Sequence, residues 1–108
     1  MNQRNTLKVN EKGHLEIGGV DCVNLREKFG TPLYVMDQSY IENMCDVFSK
    51  TLSNEYGEGM ICYASKAFSC KEIYRIINSK GIGADSVSGG ELYFTLFHCI
   101  VVVCFRLE

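Results

Sequence analysis

Residues 60–67 read Met60-Ile61-Cys62-Tyr63-Ala64-Ser65-Lys66-Ala67, an apolar run that ends in a lone cation where a buried strand gives way to a loop. Two further apolar runs flank it, Leu33-Tyr34-Val35-Met36 and the weaker Ile82-Gly83-Ala84-Asp85-Ser86-Val87. Each run is followed by serine and, three residues later, glutamate: Ser39 and Glu42, Ser69 and Glu72, Ser88 and Glu91. At that spacing the two side chains satisfy each other's unpaired amide donors at a helix N-terminus. The order is therefore strand, helix, three times over. Strands joined through helices of this length run parallel with right-handed crossovers. Ligands of such α/β folds gather at the carboxyl ends of the strands, which is where Lys66 falls.

Helical periodicity supports the same order. Ile41, Met44, Cys45, Phe48 and Leu52 share one face of a helix. Cys70, Ile73, Ile76 and Ile77 make a similar stripe, and Gly81 after Lys80 supplies a left-handed stop. The first thirty residues read differently. Leu7-Lys8-Val9 and His14-Leu15-Glu16-Ile17 alternate apolar and polar around a turn containing Gly13, which predicts a β-hairpin or two edge strands. Asp21 is placed to cap a short helix running through Leu25 and Phe29 and ending at Gly30. Thr31-Pro32 then opens the first parallel strand, because proline is tolerated at a strand's first residue.

Composition sets the outer limits. With 108 residues, 46% of them hydrophobic and 22% charged, the chain suffices for one small globular domain. It does not suffice for a closed (β/α)8 barrel, which takes about 250 residues. A formal net charge of -2 without a basic stripe argues against a nucleic-acid partner. The first twenty residues are polar and mixed in charge, with no apolar signal core, so a cytoplasmic location is expected. The six cysteines, at 22, 45, 62, 70, 99 and 104, include no Cys-x-x-Cys pair. Free and mostly buried thiols are expected, not disulfides or a metal site. His14 and His98 stand apart from each other and from any carboxylate cluster, and neither is given a role.

A lysine just past a parallel strand is either a solvated surface charge or a nucleophile whose amine is made available by desolvation or a neighbouring cation. Asp85, at the end of the next strand, is either a loop residue in an Asx turn or a partner within reach of Lys66 across neighbouring strands about 4.8 Å apart. Gly89-Gly90 invites comparison with a phosphate cradle at a helix N-terminus. Glu91 speaks against it, since its carboxylate is placed against the same amides. The glycines are expected instead to allow close backbone approach or a tight entry into the helix.

Three segments, Thr31-Pro32-Leu33-Tyr34-Val35-Met36-Asp37, Tyr63-Ala64-Ser65-Lys66-Ala67 and Gly83-Ala84-Asp85-Ser86-Val87-Ser88-Gly89-Gly90-Glu91-Leu92, resemble successive motifs of the fold type III, alanine-racemase-like pyridoxal-phosphate decarboxylases. The resemblance runs from about residue 7 to about residue 96 and leans toward the diaminopimelate decarboxylase branch over the ornithine and arginine branches. It implies an α/β fold made of the first about three βα units of a (β/α)8 TIM-like barrel, preceded by an N-terminal β-hairpin or edge strands. The cofactor it implies is pyridoxal 5'-phosphate, held covalently by Lys66 and displaced from it by the substrate amine. Asp85 matches an acidic residue near that linkage, and Ser88 lies in the adjoining turn at the pocket edge. The reaction implied is decarboxylation of meso-diaminopimelate to L-lysine, in a full-length enzyme that is a homodimer acting on a small amino acid.

Three segments follow from this reading: 1–30, a β extension with a short helix; 31–96, a partial barrel carrying the lysine; and 97–108, an atypical apolar tail. The family's glycine-rich phosphate loop, its glutamate for the pyridine nitrogen and its C-terminal β domain have no counterpart here, so negligible catalysis is expected of these 108 residues alone. The tail carries no formal charge between Glu91 and Arg106 and is too short for a membrane span of about 20 apolar residues. It is read as a frameshift, intron read-through or artefact, or else as a strand covering an open sheet. The rival to the enzyme reading is a non-catalytic βα module that at most associates through its sheet edge.

Overall fold

The computed structural model describes residues 6–97 and 102–103. Its chain divides into two units, Met1–Ile41 and Glu42–Glu108. In the first, β1 (Leu7–Val9), β2 (Leu15–Ile17) and β3 (Val20–Asp21) form an antiparallel sheet in that order, with Leu7 opposite Ile17 and Val9 opposite Leu15. The expected hairpin is present, and a third strand extends it. Gly18 and Gly19 are the two loop residues between β2 and β3, at φ 57° and 82°. Positive φ at both positions of a two-residue hairpin loop is what twisted antiparallel strands require, and glycine adopts it at no steric cost.

Helix α1 (Cys22–Phe29) starts and stops where the sequence indicates. The Asp21 carboxylate accepts from the Val23 amide at 2.8 Å, and the Gly30 amide donates to the Arg26 carbonyl at 2.8 Å. The other carboxylate oxygen of Asp21 accepts from His14 Nδ1 and from Asn10 Nδ2, each at 2.9 Å. His14 is thus not isolated from a carboxylate, as its sequence position suggested, because the hairpin carries it back beside the helix cap. The His14 hydrogen bond, aided by the Val23 amide and Asn10 and opposed by partial burial, holds the Asp21 carboxyl down at about 2 from an ordinary 3.8.

The sign of the resulting pH dependence follows directly. A carboxyl with a depressed folded-state pKa contributes stability that is fully present above its ordinary value of 3.8 and is lost as pH falls toward 2. The protection factor of the Val23 amide is expected to drop across that window, and Asp21→Asn is expected to flatten the drop. Native-state hydrogen exchange measures both.

The run Leu33-Tyr34-Val35-Met36 does not form the expected parallel strand. Among the described residues it pairs with no neighbour, and Tyr34 is 93% exposed. β propensity describes a side chain that fits a pleated, half-covered surface, and without a ladder partner it builds nothing. The described part of the parallel sheet therefore holds two βα units and a further strand, not three units. Helix α2 (Gln38–Glu55) also begins two residues earlier than it would with Ser39 as its cap. Asp37 takes the cap, its carboxylate accepting from the Tyr40 amide at 3.1 Å. An ionised acceptor at a helix N-terminus gains from the helix dipole as well as from the hydrogen bond.

In the second unit β4 (Cys62–Ala64), β5 (Gly83–Asp85) and β6 (Val102–Val103) form a parallel sheet in that order, with helices α3 (Lys71–Ser79) and α4 (Gly89–Phe97) between them. Ala64 stands opposite Asp85, and Asp85 opposite Val103. Two residues of the apolar tail thus act as a strand on the sheet. Phe97, the first residue of that tail, instead ends α4, and residues 98–101 and 104–108 lie outside the described residues.

All buried residues among those described belong to this unit. Ile73, Tyr74, Ile76 and Ile77 of α3 form the core with Ile82 and Ala84. The predicted stripe is real, with Cys70 only half-buried and Tyr74 added. On α2 the stripe is covered less well: Ile41, Met44, Cys45 and Leu52 are half-buried and Phe48 is exposed.

Helix α3 ends as Gly81 predicts. The Gly81 amide donates to the Asn78 carbonyl at 2.9 Å and the Ile82 amide to the Ile77 carbonyl at 3.0 Å, with Gly81 at φ 68°. A Cβ at Gly81 would meet no atom within 4 Å, so Gly81→Ala is expected to cost only the conformational penalty of a left-handed residue, about 1–2 kcal/mol. Urea denaturation measures it.

Candidate active site

Lys66 lies in a single 3-10 turn, Ser65–Ala67, that follows β4 directly. Asp85 is the last residue of β5, the strand paired with β4. The two residues therefore stand at the carboxyl ends of adjacent parallel strands, as the spacing predicts. No ion pair or hydrogen bond joins them. Lys66 is exposed and bonded to no other described residue. One carboxylate oxygen of Asp85, Oδ1, is buried and has no hydrogen-bond partner among the described residues. A buried acceptor without a donor costs free energy; Asp37 Oδ2 is orphaned in the same way, and what distinguishes Asp85 is its place on the strand paired with the one that carries Lys66.

The serines beside these residues are placed differently from their sequence roles. Ser69 does not cap α3: Cys70 holds that position with no side-chain cap bond, and the Ser69 hydroxyl donates to the Ser65 carbonyl at 2.8 Å. Ser65 is wholly buried, and its hydroxyl donates to the Asp85 carbonyl at 2.7 Å. The Tyr63 hydroxyl donates to the Phe68 carbonyl at 2.8 Å. None of these bonds has a periodic or spacing signal in the sequence. The run Ser65-Lys66-Ala67-Phe68-Ser69 offers only a density of hydroxyl residues around the lysine.

Ser88 caps α4 as expected. The Glu91 amide donates to its hydroxyl at 3.2 Å, while the Glu91 carboxylate accepts from the Ser88 amide at 3.2 Å and the Val87 amide at 2.8 Å. That carboxylate takes the two amides just before the helix, Val87 and Ser88, and so sets a negative charge at the helix start that disfavours a phosphate there. Among the described residues Gly89 and Gly90 serve no close approach, since a Cβ on either would meet nothing within 4 Å.

The thiols in the described residues are free. Burial first, and the negative charge of Asp85 second, pushes the Cys62 thiol up from its ordinary value, and burial does the same to Cys45. Both are thereby disfavoured as nucleophiles. Burial also raises the Tyr63 phenol. No group of three or more His, Cys, Asp or Glu among the described residues is arranged to hold a metal ion. What the strand ends present is one amine, one orphaned carboxylate oxygen and a capped helix turn, a donor set suited to an organic molecule carrying a carbonyl and a cationic nitrogen.

Comparison with known proteins points the same way. Residues 39–101 match the family model described as the pyridoxal-dependent decarboxylase, pyridoxal binding domain. The chain is 48% identical over 91 residues to a diaminopimelate decarboxylase of Bacillus methanolicus, covering 84% of this chain and 21% of the relative. Against the diaminopimelate decarboxylase of Bacillus subtilis it is 44% identical over 88 residues, covering 82% and 20%. It thus spans about a fifth of the length of the curated relatives it matches. Among solved structures, the diaminopimelate decarboxylase of M. jannaschii superposes with a TM-score of 0.78 at 36% identity, covering 93% of this chain and 24% of that one. The same enzyme has been solved in co-complex with L-lysine, with the same score and coverage.

Proposed function

Because the chain belongs to the pyridoxal-dependent decarboxylase family through its pyridoxal-binding domain, we propose that it is part of a carboxy-lyase that converts meso-diaminopimelate to L-lysine and CO2. Lys66 is its cofactor lysine, and residues 31–96 are the segment that carries it. Support for the substrate comes from relatives named diaminopimelate decarboxylase and from a structural neighbour solved with L-lysine. The observation that carries the reading is the orphaned Asp85 Oδ1 on the strand paired with the one that delivers Lys66.

Bound pyridoxal 5'-phosphate supplies an aldehyde that condenses with amines and a ring that accepts the electrons released as a carbon–carbon bond to carboxylate breaks. The residues described here fit the aldehyde end of such a group, and none of them is placed to hold its phosphate. The Lys66 amine anchors it, and the 3-10 turn sets where that amine emerges from the sheet. Asp85 offers a negative oxygen to a protonated nitrogen, a charge-assisted bond stronger than a neutral one. Ser88, fixed by its reciprocal bonds with Glu91, holds the turn at the pocket edge. The reading includes a cytoplasmic homodimer with no nucleic-acid or membrane partner. The net charge is -2, and among the described residues no helix is long and apolar enough to cross a membrane.

Reduction with borohydride in the presence of pyridoxal 5'-phosphate, followed by peptide mapping, tests the cofactor lysine. The label is expected at Lys66, and labelling spread evenly over Lys12, Lys50, Lys71 and Lys80 would overturn the reading. For the branch, CO2 release by the full-length enzyme is compared on meso-diaminopimelate, ornithine and arginine. A preference for ornithine or arginine would move the protein out of the proposed branch.

A further inference from the structure

We infer that the hydroxyls of Ser65, Ser69 and Tyr74 form a clamp fastening the Lys66 turn to the carboxyl end of β5, with Ser65 a positioning residue for Lys66. The inference rests on the pyridoxal reading of Lys66 and extends it to residues that touch neither the cofactor nor the substrate.

The register of β4 and β5 ends at the pair Ala64 and Asp85. One residue later the Asp85 carbonyl is taken by a side chain, the wholly buried Ser65 hydroxyl at 2.7 Å. The Ser65 carbonyl in turn accepts from the Ser69 hydroxyl at 2.8 Å. A hydroxyl carries one proton, so with the Ser69 proton committed there, the bond of 2.9 Å between Ser69 and Tyr74 has the Tyr74 hydroxyl as its donor. Tyr74 is fully buried in α3. A directed chain of hydrogen bonds thus runs from the core, through Ser69 and Ser65, to the backbone of the residue whose carboxylate lacks a donor. Independently, the Tyr63 hydroxyl holds the Phe68 carbonyl. Lys66 is thereby fixed from both sides while its own side chain stays exposed.

The physical need for a clamp is plain. A single 3-10 turn has poor internal hydrogen bonds and does not hold itself rigid. A reactive amine misplaced by about 1 Å forfeits much of the advantage of orientation. Hydroxyls that merely satisfied buried carbonyls would affect folding alone, whereas a clamp also affects how selectively Lys66 reacts.

The test labels the 108-residue chain with pyridoxal 5'-phosphate and borohydride, and reads the ratio of label at Lys66 to label at Lys71. Urea midpoints are recorded in parallel. Ser65→Ala is expected to lower the ratio about tenfold, and Tyr74→Phe, which keeps the buried ring, about threefold. Ser79→Ala removes a hydroxyl bonded at 2.7 Å to the Ile76 carbonyl, away from the lysine turn, and is expected to leave the ratio unchanged. If Ser65→Ala does not fold, Tyr74→Phe decides. Folded Ser65→Ala and Tyr74→Phe proteins with a wild-type ratio would overturn the clamp and leave the pyridoxal reading standing. Even labelling of all lysines in the wild type would overturn both.

Discussion

Lys66→Ala is expected to lose the borohydride-fixed pyridoxyl label at position 66 completely, while unfolding within about 0.5 kcal/mol of the wild type. The two halves of that result have separate causes. The covalent bond needs a primary amine, and no other lysine among the described residues lies at the carboxyl end of a parallel strand. Stability is spared because the Lys66 side chain is exposed and bonded to nothing described, so its loss leaves neither a cavity nor an orphaned partner. Lys66→Arg separates charge from chemistry. Its guanidinium keeps the positive charge beside Asp85 but does not give up a proton to become a nucleophile, so it too is expected to carry no label. A label at residue 66 in the arginine variant, or undiminished total labelling in the alanine variant, would show that the amine at this strand end has no special role.

Ile77→Ala is expected to destabilise the second unit by about 2–5 kcal/mol, the range for truncating a buried isoleucine. Ile77 is 1% exposed and sits beside Tyr74 and Ile73 on the face of α3 that forms the core with Ile82 and Ala84. Only six apolar residues among those described are buried, so one truncation removes a large share of the core. Ile77→Val, which leaves most of the volume in place, is expected to cost about 0.5–1.5 kcal/mol. Urea midpoints for the pair measure the contrast. Equal costs for the two variants would mean that the site collapses around the change and that packing here is loose.

The parts of the fold legible in the sequence are those governed by local geometry. Asp21, Gly30 and Gly81 mark helix ends because a cap or a left-handed turn depends on neighbours within a few residues. Ile73, Ile76 and Ile77 announce a buried face through the pitch of the helix alone. Ser88 and Glu91 satisfy each other across three positions, and the structure shows the reciprocal bonds. The same Ser-x-x-Glu spacing misleads at Ser39, where Asp37 is the better acceptor, and at Ser69, whose hydroxyl donates back to the Ser65 carbonyl instead. A capping box describes what two side chains can do and is silent on competitors outside its four residues.

By itself, the sequence determined the order of strands and helices around residues 60–91, the placement of Lys66 and Asp85 at neighbouring strand ends, and the motifs that relate them to pyridoxal-dependent decarboxylases. Only the tertiary structure decided that residues 33–36 pair with no other described residue, that His14 returns to Asp21, and that Ser65 spends its proton on the Asp85 carbonyl twenty residues away. The reason lies in the range of the interactions. Periodicity, caps and turns act over a few residues and leave a spacing in the chain, whereas strand pairing and side-chain hydrogen bonds between distant segments depend on which surfaces folding brings together.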